Sequence, residues 1–231
     1  RAVSGAGPSL AEVTHYLEGV VERLRGRGGI HDRLLDTYVK EGNKFLLSRR
    51  KNPRISRFGP GARYPLFAFH GANHKIFEPL FAPATRLTWY RDWTARALRV
   101  QVRDGGIQSV LTQAMRRLAG AGLVDTRATR GPAKSEPQAS GLAPAKLWLT
   151  RKVAQVGCPT CGNARTIAAA ARTRWVGARC PMYHCTGVLQ AVAFEDEHGY
   201  YRRIFKQGRI HRVFAAEHTG LLAREDREAL E

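Results

Sequence analysis

The stretch Cys158–Gly187, CPTCGNARTIAAAARTRWVGARCPMYHCTG, contains all four cysteines of the chain. Their spacing is C-x2-C, eighteen residues, then C-x4-C. Each tight pair can form a turn that aims two thiolates at one point. Pro159 and Gly162 flank the first turn, and Pro181 and Gly187 the second. Glycine frees the backbone there, so amides can turn toward a thiolate. The run from Arg165 to Ala178 reads as a hairpin that brings the two pairs together. Two thiolate pairs make a closed, soft, tetrahedral site. Cys158, Cys161, Cys180 and Cys185 are therefore expected to hold one structural zinc ion in a zinc ribbon. Four thiolates also hold iron, but two compact knuckles suit zinc better. Four protein ligands leave no open coordination position, which argues against a catalytic metal. His184 is a weaker ligand candidate than Cys185, because Cys185-Thr186-Gly187, like Cys161-Gly162, puts a glycine just after the thiolate. Two tight pairs suit a metal site in a reducing cytoplasm better than the dispersed bridges of a secreted fold.

The chain around this stretch is strongly basic. Its 231 residues carry 38 Lys+Arg against 19 Asp+Glu, a net charge of +19. Such a field attracts polyanions, and DNA or RNA is the expected partner. A hydrophobic content of 43% excludes wholesale disorder. No apolar run approaches the roughly 20 residues needed to span a bilayer, so no membrane partner is expected. Residues 1–9 lack the apolar core of a signal peptide. The chain begins at Arg1, not Met, and ends at Glu231 within a helix-like run, so a fragment or a processed product is expected.

Four regions follow from the pattern, giving an α+β fold class. Residues 1–63 form an N-terminal helical and basic region. Ser9 to Glu12 is a capping box, and Leu10, Val13, Leu17, Val20, Val21 and Leu24 follow at helical spacing. Gly26, Gly28 and Gly29 stop that helix. A shorter helix is expected from His31 to Lys40, burying Leu34, Leu35 and Tyr38, and Leu46 and Leu47 are expected in a strand. Arg49, Arg50, Lys51, Arg54 and Arg57 then make a basic stretch suited to phosphate contact.

Residues 64–150 open with aromatic, poorly periodic sequence. His70 and His74 there are expected in a loop or core, because no Glu of the H-E-x-x-H type accompanies them. Trp89, Trp93, Ala97 and Leu98 line one helical face. Ile107, Val110, Leu111, Ala114, Met115 and Leu118 line the next helix, whose other face carries Gln108, Thr112, Gln113, Arg116 and Arg117. Leu123 to Arg127 reads as a strand, Ala128 to Ala143 as a polar loop, and Ala145 to Thr150 as a returning strand. This order resembles a winged helix, in which a hairpin wing follows the recognition helix. The resemblance implies that Arg116 and Arg117 contact nucleic acid.

Residues 151–194 are the zinc ribbon, and residues 195–231 form a last region. There Tyr200 to Gln207 reads as a basic helix and Arg209 to Ala216 as a strand. The run from Glu217 to Glu231 resembles a segment of the second RecA-like lobe of superfamily 2 DEAD/DEAH-box helicases, where a strand ends in a His-x-Gly turn and a helix with an Arg and a Glu follows. The matching residues are His218, Gly220, Arg227 and Glu231. The whole order looks like the stretch between the two motor lobes of large bacterial helicases. That resemblance implies a winged-helix-like unit, a zinc ribbon and the edge of an incomplete RecA-like lobe. It further implies a function: a zinc- and nucleic-acid-binding segment of a larger ATP-dependent helicase, gripping the phosphate backbone and linking the motor lobes. The chain has no phosphate loop G-x-x-x-x-G-K-[ST] and no D-E-x-[DH] box, so by itself it is not expected to hydrolyse ATP, which only the complete parent would bind. The alternative is a stand-alone zinc-ribbon adaptor that acts through protein contacts in transcription or complex assembly.

Overall fold

The computed structural model describes residues 7–47, 64–82, 86–100, 106–130 and 137–193. Those residues build a mixed α+β fold with five α-helices and two small sheets. The basic stretch Arg49, Arg50, Lys51, Arg54 and Arg57 lies outside them. So do the helicase-like residues His218, Gly220, Arg227 and Glu231, together with the helix and strand expected between Tyr200 and Ala216.

Helix α1, Leu10–Gly26, starts as the sequence dictates. Ser9 accepts the Glu12 amide while the Glu12 carboxylate accepts the Ser9 amide, a reciprocal capping box. Its buried face is rotated from the expected one. His15, Tyr16, Gly19, Val20 and Leu24 are buried, while Leu10 is 82% exposed and Val13, Leu17 and Val21 are half-buried. The reason is helix α3, Trp89–Leu98, which lies against α1. Trp93 donates its indole N–H to the Tyr16 carbonyl at 3.0 Å. Gly19 makes the approach feasible, since a Cβ there would stand 2.6 Å from the Trp93 ring.

Helix α4, Gly106–Gly120, buries Ile107, Leu111, Ala114, Met115 and Leu118 against this pair, as its period predicts. Gly122 adopts φ +68° after it and turns the chain into strand β3, Val124–Ala128. β3 pairs antiparallel with β4, Gln138–Leu142. β4 pairs antiparallel with β1, Ala68–Phe69, which pairs parallel with β2, Glu78–Pro79. The sheet order is β2-β1-β4-β3.

Three local expectations fail here. Gln138 to Leu142, read as loop, is a central strand. Its small residues carry no β propensity of their own, but Ala139 and Ser140 pair on both edges and are buried. Ala145 to Thr150, read as a strand, begins as a 3₁₀ turn led by Pro144 and has no strand partner among the described residues. Leu46 and Leu47 close a 3₁₀ turn, Lys44–Leu47, after Gly42 ends helix α2, Asp36–Glu41, in the left-handed region. The expected His31 to Lys40 helix is thus shorter, preceded by a 3₁₀ turn, Arg33–Leu35. Tyr38 and Val39 are buried, whereas Leu34 faces solvent.

A second core packs Tyr38, Phe67, Phe69 and Phe77 under α2. His31 lies against Phe67, and His74 stacks on Phe77 with ring centroids 4.5 Å apart. Burial lowers the pKa of His15, His31, His70 and His74. For His31, with the Arg127 charge adding to burial, it falls to about 4. The sign follows directly. Below about 6.5, the ordinary histidine value, the unfolded chain binds protons that the folded chain refuses. Stability is therefore complete above that value and is lost as the pH falls toward 4. Urea unfolding midpoints should drop over this interval, and His31→Asn should make the drop shallower. A midpoint constant down to pH about 4 would contradict the assignment.

Candidate metal centre

Strands β5, Val153–Gly157, and β6, Ala164–Ala168, form a hairpin whose turn is the first knuckle. Cys158 donates its amide to the Asn163 carbonyl at 2.9 Å, and Gly162 returns an amide to the Cys158 carbonyl at 2.8 Å. Gly162 reaches φ +70°, which closes the loop. A short helix, α5, Arg172–Trp175, then leads to the second knuckle. Cys180 donates to the Gly187 carbonyl at 2.9 Å, and Arg179 and Val188 form a bridge at its neck. Strand β7, Gln190–Val192, closes the sheet in the order β6-β5-β7.

The four sulfurs converge. All lie within 4.8 Å of one another. Cys158 and Cys185 are 3.6 Å apart at Sγ, and Cys161 and Cys180 are 3.7 Å apart. A disulfide needs about 2.05 Å, so these are free thiols. A tetrahedron of sulfurs about 2.3 Å from a central ion has edges of about 3.8 Å. The cluster therefore fits one ion, and is too tight for thiolates bound to separate irons of a multinuclear cluster. His184, with φ +59°, turns aside, and its ring lies tilted at 45° against Tyr183, with ring centroids 3.9 Å apart.

The second knuckle's glycine has a steric reason. A Cβ on Gly187 would stand 2.6 Å from Cys158 Sγ. The backbone must pass beside the opposite thiolate, and its amide points at Cys185 Sγ, 3.4 Å away. Electrostatics differ among the sulfurs. Burial raises the Cys158 thiol, but the amides of Cys161 and Thr160 outweigh it and bring its pKa down to about 6. Burial pushes Cys180 and Cys185 upward. One sulfur is thus ready to ionise near neutrality, and two ionise readily only when a cation compensates them.

Residues far from the cysteines in sequence complete the site. Arg96, on α3, donates from Nη1 to the Cys180 carbonyl at 2.9 Å and the Cys185 carbonyl at 2.6 Å. Its Nη2 donates to the Met182 carbonyl at 2.8 Å and to Asp92 Oδ2 at 2.6 Å. Asp92 also accepts the His184 amide at 3.2 Å. Trp89 donates to the Pro181 carbonyl at 2.7 Å, and Tyr183 donates to the Leu87 carbonyl at 2.7 Å. From α1, His15 contacts the Arg179 carbonyl at 2.9 Å through Nε2, between the rings of Trp93 and Trp175. The second knuckle is thus clasped by α3 and α1. Sequence reading did not assign Asp92, Arg96 or His15 to the site. A signal was present: the apolar stripe Trp89, Trp93, Ala97 also contains Asp92 and Arg96 at helical spacing, and charges on a buried face need partners.

Arg116 and Arg117, the other described candidates, are exposed on α4. They take no part in the metal cluster. Comparison with family models, with curated proteins and with solved structures gives no match for this chain. No helix of the described residues is long and apolar enough to cross a membrane.

Proposed function

We propose that the chain is a zinc-binding, nucleic-acid-binding segment of a larger ATP-dependent helicase, gripping the phosphate backbone and linking the motor lobes. Zinc follows from the donor set. Four thiolates at tetrahedral spacing favour a soft ion with no geometric demand of its own. The metal's contribution is structural: it ties together the tips of two knuckles whose flanking strands, β5 and β7, share only a three-residue pairing. Within the order α1, α2, β1, β2, α3, α4, β3, β4, the run α3, α4, β3, β4 with β4 between β1 and β3 supports a winged-helix reading of residues 64–150. The helicase context rests on the resemblance carried by His218, Gly220, Arg227 and Glu231.

The observation that carries the nucleic-acid reading is helix α4. One face is buried, and the other turns Gln108, Gln113, Arg116 and Arg117 to solvent with no acidic residue anywhere along the helix. Such a helix matches the width and polarity of the B-DNA major groove, with amides for base edges and arginines for phosphates. Fluorescence anisotropy with a labelled duplex over a range of salt tests it. Affinity should fall with salt, and the joint substitution Arg116→Ala, Arg117→Ala should reduce the slope of log K against log salt by about 1 to 2. Unchanged affinity and slope would remove α4 from the interface. Chain-length sequencing of the natural gene tests the context, since a phosphate loop upstream and an arginine-finger motif downstream are required.

A further inference from the structure

A groove of about 790 Å³ runs between the last turn of α1, strand β6 and the segment 148–150. Arg23, Arg25, Arg27 and Arg165 line it, with Glu22 as the one carboxylate among the lining residues. Arg23 is paired with Glu78, and Arg25 with Glu22. Arg165 hydrogen-bonds to neutral partners, Asn163 Oδ1 at 3.1 Å and Met182 Sδ at 3.9 Å, with the Glu22 carboxylate near enough to act on its charge but making no ion pair with it. Trp148 stands in the same groove, 87% exposed, beside the fully exposed Leu149. The other three tryptophans of the chain, Trp89, Trp93 and Trp175, are buried. Arg151 and Lys152, both exposed, follow at once.

An indole held in water is costly to leave uncovered. The Arg165 guanidinium in the groove and the exposed Arg151 that follows Trp148 favour an anionic ligand with flat apolar faces. A single-stranded nucleic acid has both, phosphates along one edge and unpaired bases to stack. A duplex does not, because its bases are already stacked inside. A protein partner that covered Trp148 and Leu149 would bring an acidic surface; the charge of the groove fits it less specifically than it fits a phosphate chain.

We propose that this groove binds single-stranded nucleic acid, with a base stacked on Trp148 and the phosphates held by Arg165 and Arg151. The site is separate from the outward face of α4 and does not depend on α4 binding duplex.

The test uses the full chain and oligo(dT) of about 12 nucleotides, within the span such grooves cover. Trp148 is the exposed indole of the four, so dT binding should quench the accessible part of the tryptophan fluorescence. Trp148→Ala should remove that quench and weaken dT binding about 10-fold, as loss of one stacked base implies. Trp148→Phe should keep most of the affinity. Arg165→Ala should reduce the salt slope for dT by about 0.7. The pair Arg116→Ala, Arg117→Ala should leave dT affinity unchanged while affecting duplex, so failure of one site does not imply failure of the other. Near-ultraviolet dichroism of the buried tryptophans confirms that each variant is folded. Unchanged dT affinity in Trp148→Ala overturns the proposal. So does loss of dT binding in the α4 variant alone. So does a Trp148 already shielded from acrylamide in the free chain, which would mean that protein covers it.

Discussion

Cys158→Ser and Cys180→Ser should each lose the bound ion and unfold residues 153–192, the largest effect expected of any single substitution here. The apolar core of this part is small: Val156, Ile167, Trp175 and Leu189 are its buried non-cysteine members. Strands of five, five and three residues cannot hold two knuckles together on that alone. Structural zinc sites supply apparent binding energies of about 10–16 kcal/mol, and that energy is folding energy. A serine oxygen is a harder and far weaker ligand than a thiolate, so most of it is forfeited. Elemental analysis should show about one zinc per wild-type chain, as a single four-ligand site requires, and well under that in either variant. Hydrogen exchange should show the amide of Val156 protected in the wild type and open in the variants. A variant that kept both its metal and this protection would refute the site, as would a wild-type chain purified without chelator that held neither zinc nor iron.

The second large effect is expected at Arg96. Substitution with methionine keeps an aliphatic stem and deletes the guanidinium, which also lies over the Trp93 ring, 5.6 Å from its centroid. Three knuckle carbonyls then lose a donor, that of Met182 keeping the Cys185 amide, and Asp92 remains buried without the Arg96 cation. Breaking a buried pair from one side costs about 3–5 kcal/mol. Because the carbonyls belong to the metal-binding turn, metal affinity should fall about 10- to 100-fold, the usual effect of losing an outer-layer partner. Arg96→Lys should recover little, since one ammonium cannot reproduce a planar fork serving three carbonyls and a carboxylate. The double variant Asp92→Asn, Arg96→Met should be less destabilised than Arg96→Met, because no orphaned charge is left. Thermal melts and the rate of metal transfer to a coloured chelator measure both effects. Equal rates for wild type and Arg96→Met would show that the clasp does not support the knuckle.

The parts of this fold that were legible in sequence are those decided locally. The Ser9 cap and the period of α4 depend on neighbours within a few residues, the two cysteine pairs are each set by spacing within a turn, and each is found where expected. Strand β4 was not legible, because Ala139, Ser140 and Gly141 owe their extended form to partners on both sides. Leu147 and Leu149 alternate as a strand would, yet no neighbouring strand offers them hydrogen bonds. The clasp was missed for the same reason. Asp92 and Arg96 four residues apart suggest an ordinary helix-surface pair; they do pair, but their further partners lie roughly ninety positions along the chain, as the 84- and 89-residue separations of the Arg96 bonds show.

Those separations also bear on the order of assembly. The Arg96 bonds reach across 84 to 89 residues, and the His15 contact with Arg179 across 164. As the chain leaves the ribosome, α1 and α3 are complete long before the second knuckle exists. Trp89 must then wait with an unmatched N–H, and Arg96 with no carbonyls to bind. Non-local closure of this kind is slow, because loop entropy is spent before any contact rewards it. A bound cation would supply the missing incentive, gathering the cysteines over a 28-residue span, from Cys158 to Cys185, before the long-range clasp forms. Metal scarcity during synthesis would therefore act on the N-terminal helices, leaving them formed but unlatched.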